Sequence, residues 1–202
     1  MNVAVYSGSF NPLHIGHLAI MKHLIHEAGY DMVYLIVSPM NPFKQGMQMV
    51  SGEERYKAAV EAVLRHKEEL SVMNPETGEM ELKVKVDDIE LSMPAPHYTI
   101  KTLNSLKERE PHNNFKLVMG ADNLASIRKW KSYIDIISKF GIIVFPRDDF
   151  DIESIKNELL QEGKAQNQIY IIDLMKFEKV DVSSSFIRSL KSEEKKSSIY
   201  LV

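Results

Sequence analysis

Val3-Ala4-Val5-Tyr6-Ser7-Gly8-Ser9-Phe10-Asn11-Pro12-Leu13-His14-Ile15-Gly16-His17-Leu18 starts with strand-forming residues, Val3 to Tyr6, and then breaks into a turn rich in Ser, Gly, Asn and Pro. Beyond the turn the period changes. From Gly16 to Ala28, Ile20, Met21, Leu24, Ile25 and Ala28 share one helical arc, Lys22, His23, His26 and Glu27 oppose it, and Gly29 ends the pattern. A second strand, Met32 to Val37, is nearly all apolar, as a strand covered on both faces should be. Strand, helix and strand in this order form the unit of a parallel sheet.

The same alternation continues outward. A loop from Pro39 to Val50 is followed by Ser51-Gly52-Glu53-Glu54, a capping box that predicts a helix to about Leu70. Asn74 to Gly78 reads as a turn, Lys83 to Val86 as a strand, Thr99 to Arg109 as a helix and Phe115 to Met119 as a strand. Asn123 to Ile137 is helical in pieces, Gly141 to Phe145 and Ile169 to Asp173 are strands, Ile152 to Glu162 is a helix, and a last helix runs from Ser184 to about Lys196. The expected fold is α/β: a doubly wound, mainly parallel, Rossmann-like sheet with helices on both faces, in one domain over residues 1–202. In that winding the first and fourth strands are neighbours and ligands bind at their carboxyl ends, which brings Gly8 to Phe10 beside Gly120 to Asp122.

Composition narrows the function classes. With 44% hydrophobic and 26% charged residues, the 202-residue chain has enough apolar surface to build a core, and intrinsic disorder is excluded. Charges of both signs are mixed along the sequence, 25 Lys and Arg against 28 Asp and Glu, for a formal net charge of -3. That argues against nucleic-acid and anionic-membrane partners. The absence of cysteine removes disulfides, thiolate nucleophiles and Cys-based metal sites. Met1 to Tyr6 lacks a basic leader, and apolar runs such as Val33 to Val37 are too short to span a bilayer, so a cytoplasmic location is expected. A homo-oligomer stays open.

The turn after the first strand lacks both the G-x-G-x-x-G dinucleotide fingerprint and the G-K-[ST] close of a Walker A loop. At about 100° per residue, Met21, Leu24, Ile25 and Ala28 fall near His17, whereas His23 and His26 fall on the far side. His17 is therefore expected on the buried face, in need of a polar partner. Taken alone, it reads most simply as a core histidine satisfied by a carbonyl. A metal reading of His14, His17, His23 and His26 is disfavoured, because His23 and His26 do not converge with His17 and two histidines supply too few ligands. The remaining reading has His14 and His17 donating to an anion at the positive end of the helix, where Gly8 and Gly16 allow close approach.

Gly8 to His17 resembles the H-x-G-H signature of the nucleotidyltransferase superfamily, and its Ser9-Phe10-Asn11-Pro12 variant resembles the bacterial nicotinate-nucleotide adenylyltransferases. Val182-Ser183-Ser184-Ser185-Phe186-Ile187-Arg188 resembles that superfamily's I-S-S-[ST]-x-I-R motif; alone it would read as a Ser-rich N-cap followed by a surface arginine. Pro39-Met40-Asn41-Pro42-Phe43-Lys44 is similar to P-x-x-P-P-H-K, with Phe43 in place of histidine. Tyr98 to Leu103 is similar to S-Y-T-x-x-T-L, with His97 in place of serine, and Gly120-Ala121-Asp122-Asn123-Leu124 with Trp130-Lys131 matches G-x-D-x-L and its downstream tryptophan. The resemblance spans positions 3 to 190, and Ser92 to Pro96 departs from it.

The resemblance implies adenylyl transfer from ATP to a pyridine mononucleotide, nicotinate mononucleotide foremost. It implies Gly8, Ser9, Phe10, His14, His17, Gly120, Asp122 and Ile187 around ATP, with Ser183, Ser184 and Ser185 cradling its phosphates and Arg188 clamping them. His14, His17, Lys44 and Arg188 form the implied catalytic set. Asn41, Lys44, Thr99, Ile100, Asp122, Trp130 and Lys131 are implied around the acceptor. Mg²⁺ is expected to travel with ATP, with no protein ligand of its own. Trp130 reads equally as core packing and Asp122 equally as the N-cap of the following helix. Alternatives within the fold are transfer to nicotinamide mononucleotide or phosphopantetheine, or cytidylyl transfer; outside catalysis, the alternative is a nucleotide-sensing module.

Overall fold

A computed structural model describes residues 1–39, 50–146, 150–162, 169–171 and 201–202. Its elements are β1 (Asn2–Gly8), α1 (Ile15–His26), β2 (Met32–Val37), α2 (Gly52–Arg65), β3 (Ser71–Met73), β4 (Met80–Leu82), β5 (Val84–Asp87), α3 (Ile89–Ser92), α4 (Thr99–Arg109), β6 (Asn114–Gly120), α5 (Ala121–Ala125), α6 (Tyr133–Asp135), β7 (Ile142–Phe145), α7 (Ile152–Gln161) and β8 (Ile169–Ile171). Six strands form one sheet in the order β5-β2-β1-β6-β7-β8, and every neighbouring pair is parallel. The winding reverses between β1 and β6, so a crevice opens at their carboxyl ends.

Alternation along the strands divides the core into two layers. Val3, Val5, Tyr34, Ile36, Leu117, Met119, Ile142 and Val144 point to a face covered by α4, α5 and α7. Ala4, Val33, Leu35, Val37, Val118, Ile143 and Phe145 point to the other, where they meet Met21 and Leu24 of α1 and Ala59 and Ala62 of α2. With both faces covered, the strands carry long apolar runs, and the expected doubly wound architecture holds.

The structure departs from the sequence reading at several elements. α2 stops at Arg65 rather than near Leu70, and residues 66–70 form turns that lead wholly buried Leu70 into the core. Asn74 to Gly78 is the tip of an antiparallel hairpin, β3 with β4, whose three-residue strands are too short to declare themselves by alternation. Residues 121–140 break into α5, a 3-10 turn, α6 and a π turn, in line with the expected pieces. The continuation of the last strand past Ile171 and the helix from Ser184 lie outside the described residues. Leu201 makes an antiparallel bridge to His14 and Val202 packs on the α1 side of the core. No helix among the described residues is long and apolar enough to cross a membrane.

Candidate active site

β1 ends at Gly8, and the chain then turns through Phe10, whose φ of 41° lies in the left-handed region that an aromatic residue seldom adopts. The ring folds back over Gly8: a Cβ there would stand 3.1 Å from Phe10 Cζ, which gives the glycine its physical reason. Phe10 is 4% exposed and meets Tyr6 and His17 edge-on, at centroid distances of 5.5 and 5.1 Å. Ring packing thus holds a backbone conformation that the residue alone would avoid.

His14 is the N-cap of α1, and the two motif histidines are tied to each other. Their rings lie 3.7 Å apart, tilted by 32°, and the His14 backbone N–H donates to His17 Nδ1 at 3.2 Å. An Nδ1 that accepts places the proton of the neutral ring on Nε2, so His17 is fixed as an Nε2–H donor. The first turn of α1 carries no acidic residue to offset the positive end of the helix. His14 is buried, and His17 is half-buried at the helix mouth rather than sunk into the core. His23, expected on the far side, is instead buried, its ring edge-on to Phe145 at 5.9 Å. α1 is covered by the ends of several strands, which widens its buried arc beyond one amphipathic stripe.

Tyr6 pairs with Val118, and each strand runs two residues further to end at a glycine, Gly8 and Gly120, so the β1 turn and the β6 end share one edge as expected. Gly120 is the N-cap of α5; Asp122 sits inside the first turn of that helix, exposed, and does not cap it. The helix begins two residues earlier than the capping reading required. Thr99 and Ile100 are the first residues of α4, with Tyr98 as N-cap. Trp130 is half-buried against the α4 face of the core, so it packs and keeps part of its surface, while Lys131 is exposed. Asn41, Lys44, Ser183, Ser184, Ser185, Ile187 and Arg188 lie outside the described residues.

Two buried charged side chains at this edge escaped the sequence reading. Arg55, 3% exposed, donates to the carbonyls of Ser9, Ser38, Pro39 and Val50. Glu90, 4% exposed, accepts from Thr102 Oγ1 at 2.8 Å and Ser7 Oγ at 3.4 Å, and Ser7 Oγ lies 3.2 Å from Ser38 Oγ. A continuous polar chain therefore runs from α2 through the ends of β2 and β1 to α4. The signal was present: Arg55 shares the buried stripe of Ala59, Ala62 and Val63, and Glu90 stands between Ile89 and Leu91. A charge on an apolar arc marks a buried polar partner.

Among the described residues no group of three or more His, Asp or Glu side chains is arranged to hold a metal ion. What the geometry offers is a row of donors at a helix N-terminus facing a second strand end, which suits anions held in line. Comparison with known proteins agrees. The sequence profile of the cytidylyltransferase-like family matches residues 5–190. A protein of Flavobacterium johnsoniae named "probable nicotinate-nucleotide adenylyltransferase" is 33% identical over 195 residues, covering 96% of this chain and 89% of its own. One of the same name from Flavobacterium psychrophilum is 35% identical over 188 residues, covering 93% and 85%. In fold, the chain is similar to the Plasmodium falciparum nicotinic acid mononucleotide adenylyltransferase complexed with NaAD, with a TM-score of 0.75 at 20% identity, covering 99% of this chain and 90% of that one.

Proposed function

The chain belongs to the cytidylyltransferase-like family, in its nicotinate-nucleotide adenylyltransferase branch, and we propose from that membership that it moves the adenylyl group of ATP to nicotinate mononucleotide, a step of NAD biosynthesis. The observation that carries this reading is the coupled pair His14 and His17, stacked at the N-terminus of α1 beside the carboxyl end of β6, with His17 fixed as an Nε2–H donor. An oxygen of the acceptor phosphate attacks the α-phosphorus of ATP; the new P–O bond forms as the bond to pyrophosphate breaks. With a second pKa of about 6 the acceptor phosphate is already largely dianionic at neutral pH, so no general base is needed. The protein's task is to align two repelling anions and to meet charge growing on the α-phosphate and leaving group with fixed donors.

In this reading the turn Gly8 to Phe10, His14 and His17 hold the ATP phosphates, with Gly120 and Asp122 at the neighbouring strand end. Ser183, Ser184, Ser185 and Arg188 complete the phosphate cradle, with Ile187 also around ATP. Thr99, Ile100, Trp130 and Lys131 surround the pyridine ring, and Asn41 and Lys44 approach the acceptor. Mg²⁺ enters with ATP as part of the substrate, neutralising phosphate charge while keeping most of its waters. A pyrophosphate-release panel tests the assignment with ATP or CTP against nicotinate mononucleotide, nicotinamide mononucleotide and phosphopantetheine. Release is expected with ATP and the pyridine acceptors. Release only with phosphopantetheine or CTP would move the chain to a sister activity, and nucleotide binding without release under any acceptor would make it a sensing module.

A further inference from the structure

Arg55 is a buried cation that pairs with no carboxylate among the described residues. Its partners are main-chain carbonyls: Nη1 donates to Ser9 and, at 2.8 Å, to Ser38, Nη2 to Pro39 at 2.6 Å, and Nε to Val50 at 3.1 Å. The start of α2 is built around this head group. A Cβ at Gly52 would stand 2.7 Å from Leu91 Cδ2, 3.5 Å from Pro39 Cα and 3.6 Å from Arg55 Nη2, so glycine keeps the space open. Burial pulls the arginine pKa below its ordinary value, yet a guanidinium keeps its charge in a protein. An apolar side chain here would leave four carbonyls without this donor, so the arginine acts as a clamp on the main chain. Of the four carbonyls, that of Ser9 belongs to the β1 turn and is bonded directly to the Phe10 nitrogen.

We propose that Arg55 is the positioning residue of the nucleotide site, holding the Ser9 carbonyl so that the Phe10 N–H is aimed and strengthened as a donor to an ATP phosphate. In a trans peptide the C=O and N–H point in opposite directions, so a guanidinium on Ser9 O turns the Phe10 N–H away from α2. A carbonyl that accepts a charge-assisted bond also polarises its own amide, which strengthens that N–H. Phe10 then has its backbone anchored on one side by Arg55 and its ring on the other by Gly8, Tyr6 and His17, which together hold its left-handed conformation. The inference rests on the reading of the β1 turn as an ATP-phosphate site and adds to it a residue in α2.

Arg55→Lys keeps the charge but loses the planar fork, so it cannot serve all four carbonyls. Titration calorimetry with a non-hydrolysable ATP analogue should give a Kd raised by about tenfold or more, the scale of one charge-assisted bond. kcat/KM for ATP should fall in step with the loss of affinity for the analogue. A variant that melts earlier yet binds the analogue as wild type does would reduce Arg55 to a structural clamp and overturn the proposal. Should Arg55→Lys fail to fold, the wild type labelled with [15N]phenylalanine, eight amides in all, still decides. The Phe10 amide, assigned by its loss in Phe10→Leu, should move downfield when the analogue binds, and an unmoved signal overturns the proposal. A wild type that binds the analogue but makes no dinucleotide contradicts the proposed reaction alone, and the binding arms still judge Arg55.

Discussion

His17 owes its role to one bond: by accepting the His14 N–H at Nδ1 it is left with Nε2–H as its donor. His17→Ala is expected to lower kcat by about 10² to 10³, the usual cost of removing one donor to transition-state charge. Its melting temperature should fall only modestly, because the half-buried ring gives up its contacts with Tyr6, Phe10 and His14 while Met21 and Leu24 still seat α1 on the core; a collapse of stability with near-normal turnover in the folded fraction would return it to the role of a core histidine. Gly8 is testable through its neighbour. Gly8→Ala drives a methyl against the Phe10 ring and should destabilise by about 1 to 3 kcal/mol, the usual range for overpacking. Adding Phe10→Leu should cost less in the Gly8→Ala background than in wild type, and purely additive losses in urea unfolding would show that the two do not touch.

Between elements, β5 and α4 are joined by Asp87, 3% exposed, which takes two bonds from Arg109 at 3.2 and 2.6 Å and pairs with Lys85 at 3.2 Å. Burial, the largest influence, pushes the Asp87 carboxyl up, but the bonds from Arg109 and its charge, with Lys85, together hold it below its ordinary value. A lowered folded-state pKa means that the unfolded chain binds the proton more readily. The stabilisation is therefore present above the unfolded value and is lost as pH falls through the folded one. Arg109→Gln, leaving Asp87 buried without its main partner, should cost about 2 to 3 kcal/mol at pH 7, at the lower edge of a broken buried pair because Arg109 is itself part-exposed. Urea unfolding at pH 7 and at pH 3 should show that cost shrinking in acid, and an equal cost at both would deny the linkage. The inner strands were legible because both their faces are buried, leaving apolar runs such as Met32 to Val37, whereas the edge strand β5, with Lys85 exposed, showed itself by alternation. β3 and β4 were not, being too short for a period, and α2 overran because its unwinding past His66 serves Leu70, a tertiary demand no local pattern contains.

At the scale of the whole molecule, the histidine turn and the β6 end meet as the winding rule requires, since Gly8 and Gly120 each lie two residues past the paired Tyr6 and Val118. Arg55 and Glu90 were not read because their partners are carbonyls and hydroxyls distant in sequence, from Ser7 and Ser9 to Thr102. The acceptor preference also belongs here, since it depends on α4 facing the nucleotide half of the crevice. The Ile100 N–H after Thr99 and the Lys131 N–H after Trp130 would satisfy both oxygens of a carboxylate, whereas an amide sets its NH₂ against one of them. That mismatch costs about 1 to 3 kcal/mol, so kcat/KM should favour nicotinate over nicotinamide mononucleotide by roughly 5-fold to a few hundredfold. Equal values, or a preference for the amide, would overturn the assignment of the acceptor while leaving adenylyl transfer intact. The central claim is that the β1 turn serves attack on the α-phosphorus of ATP, and label transfer tests it directly. With Mg²⁺ and nicotinate mononucleotide, ATP labelled at the α-phosphate should pass its label to the dinucleotide, and ATP labelled at the γ-phosphate should yield labelled pyrophosphate in equal amount. Label from the γ-phosphate appearing as free orthophosphate or on the acceptor, with none passing from the α-phosphate to a dinucleotide, would contradict it.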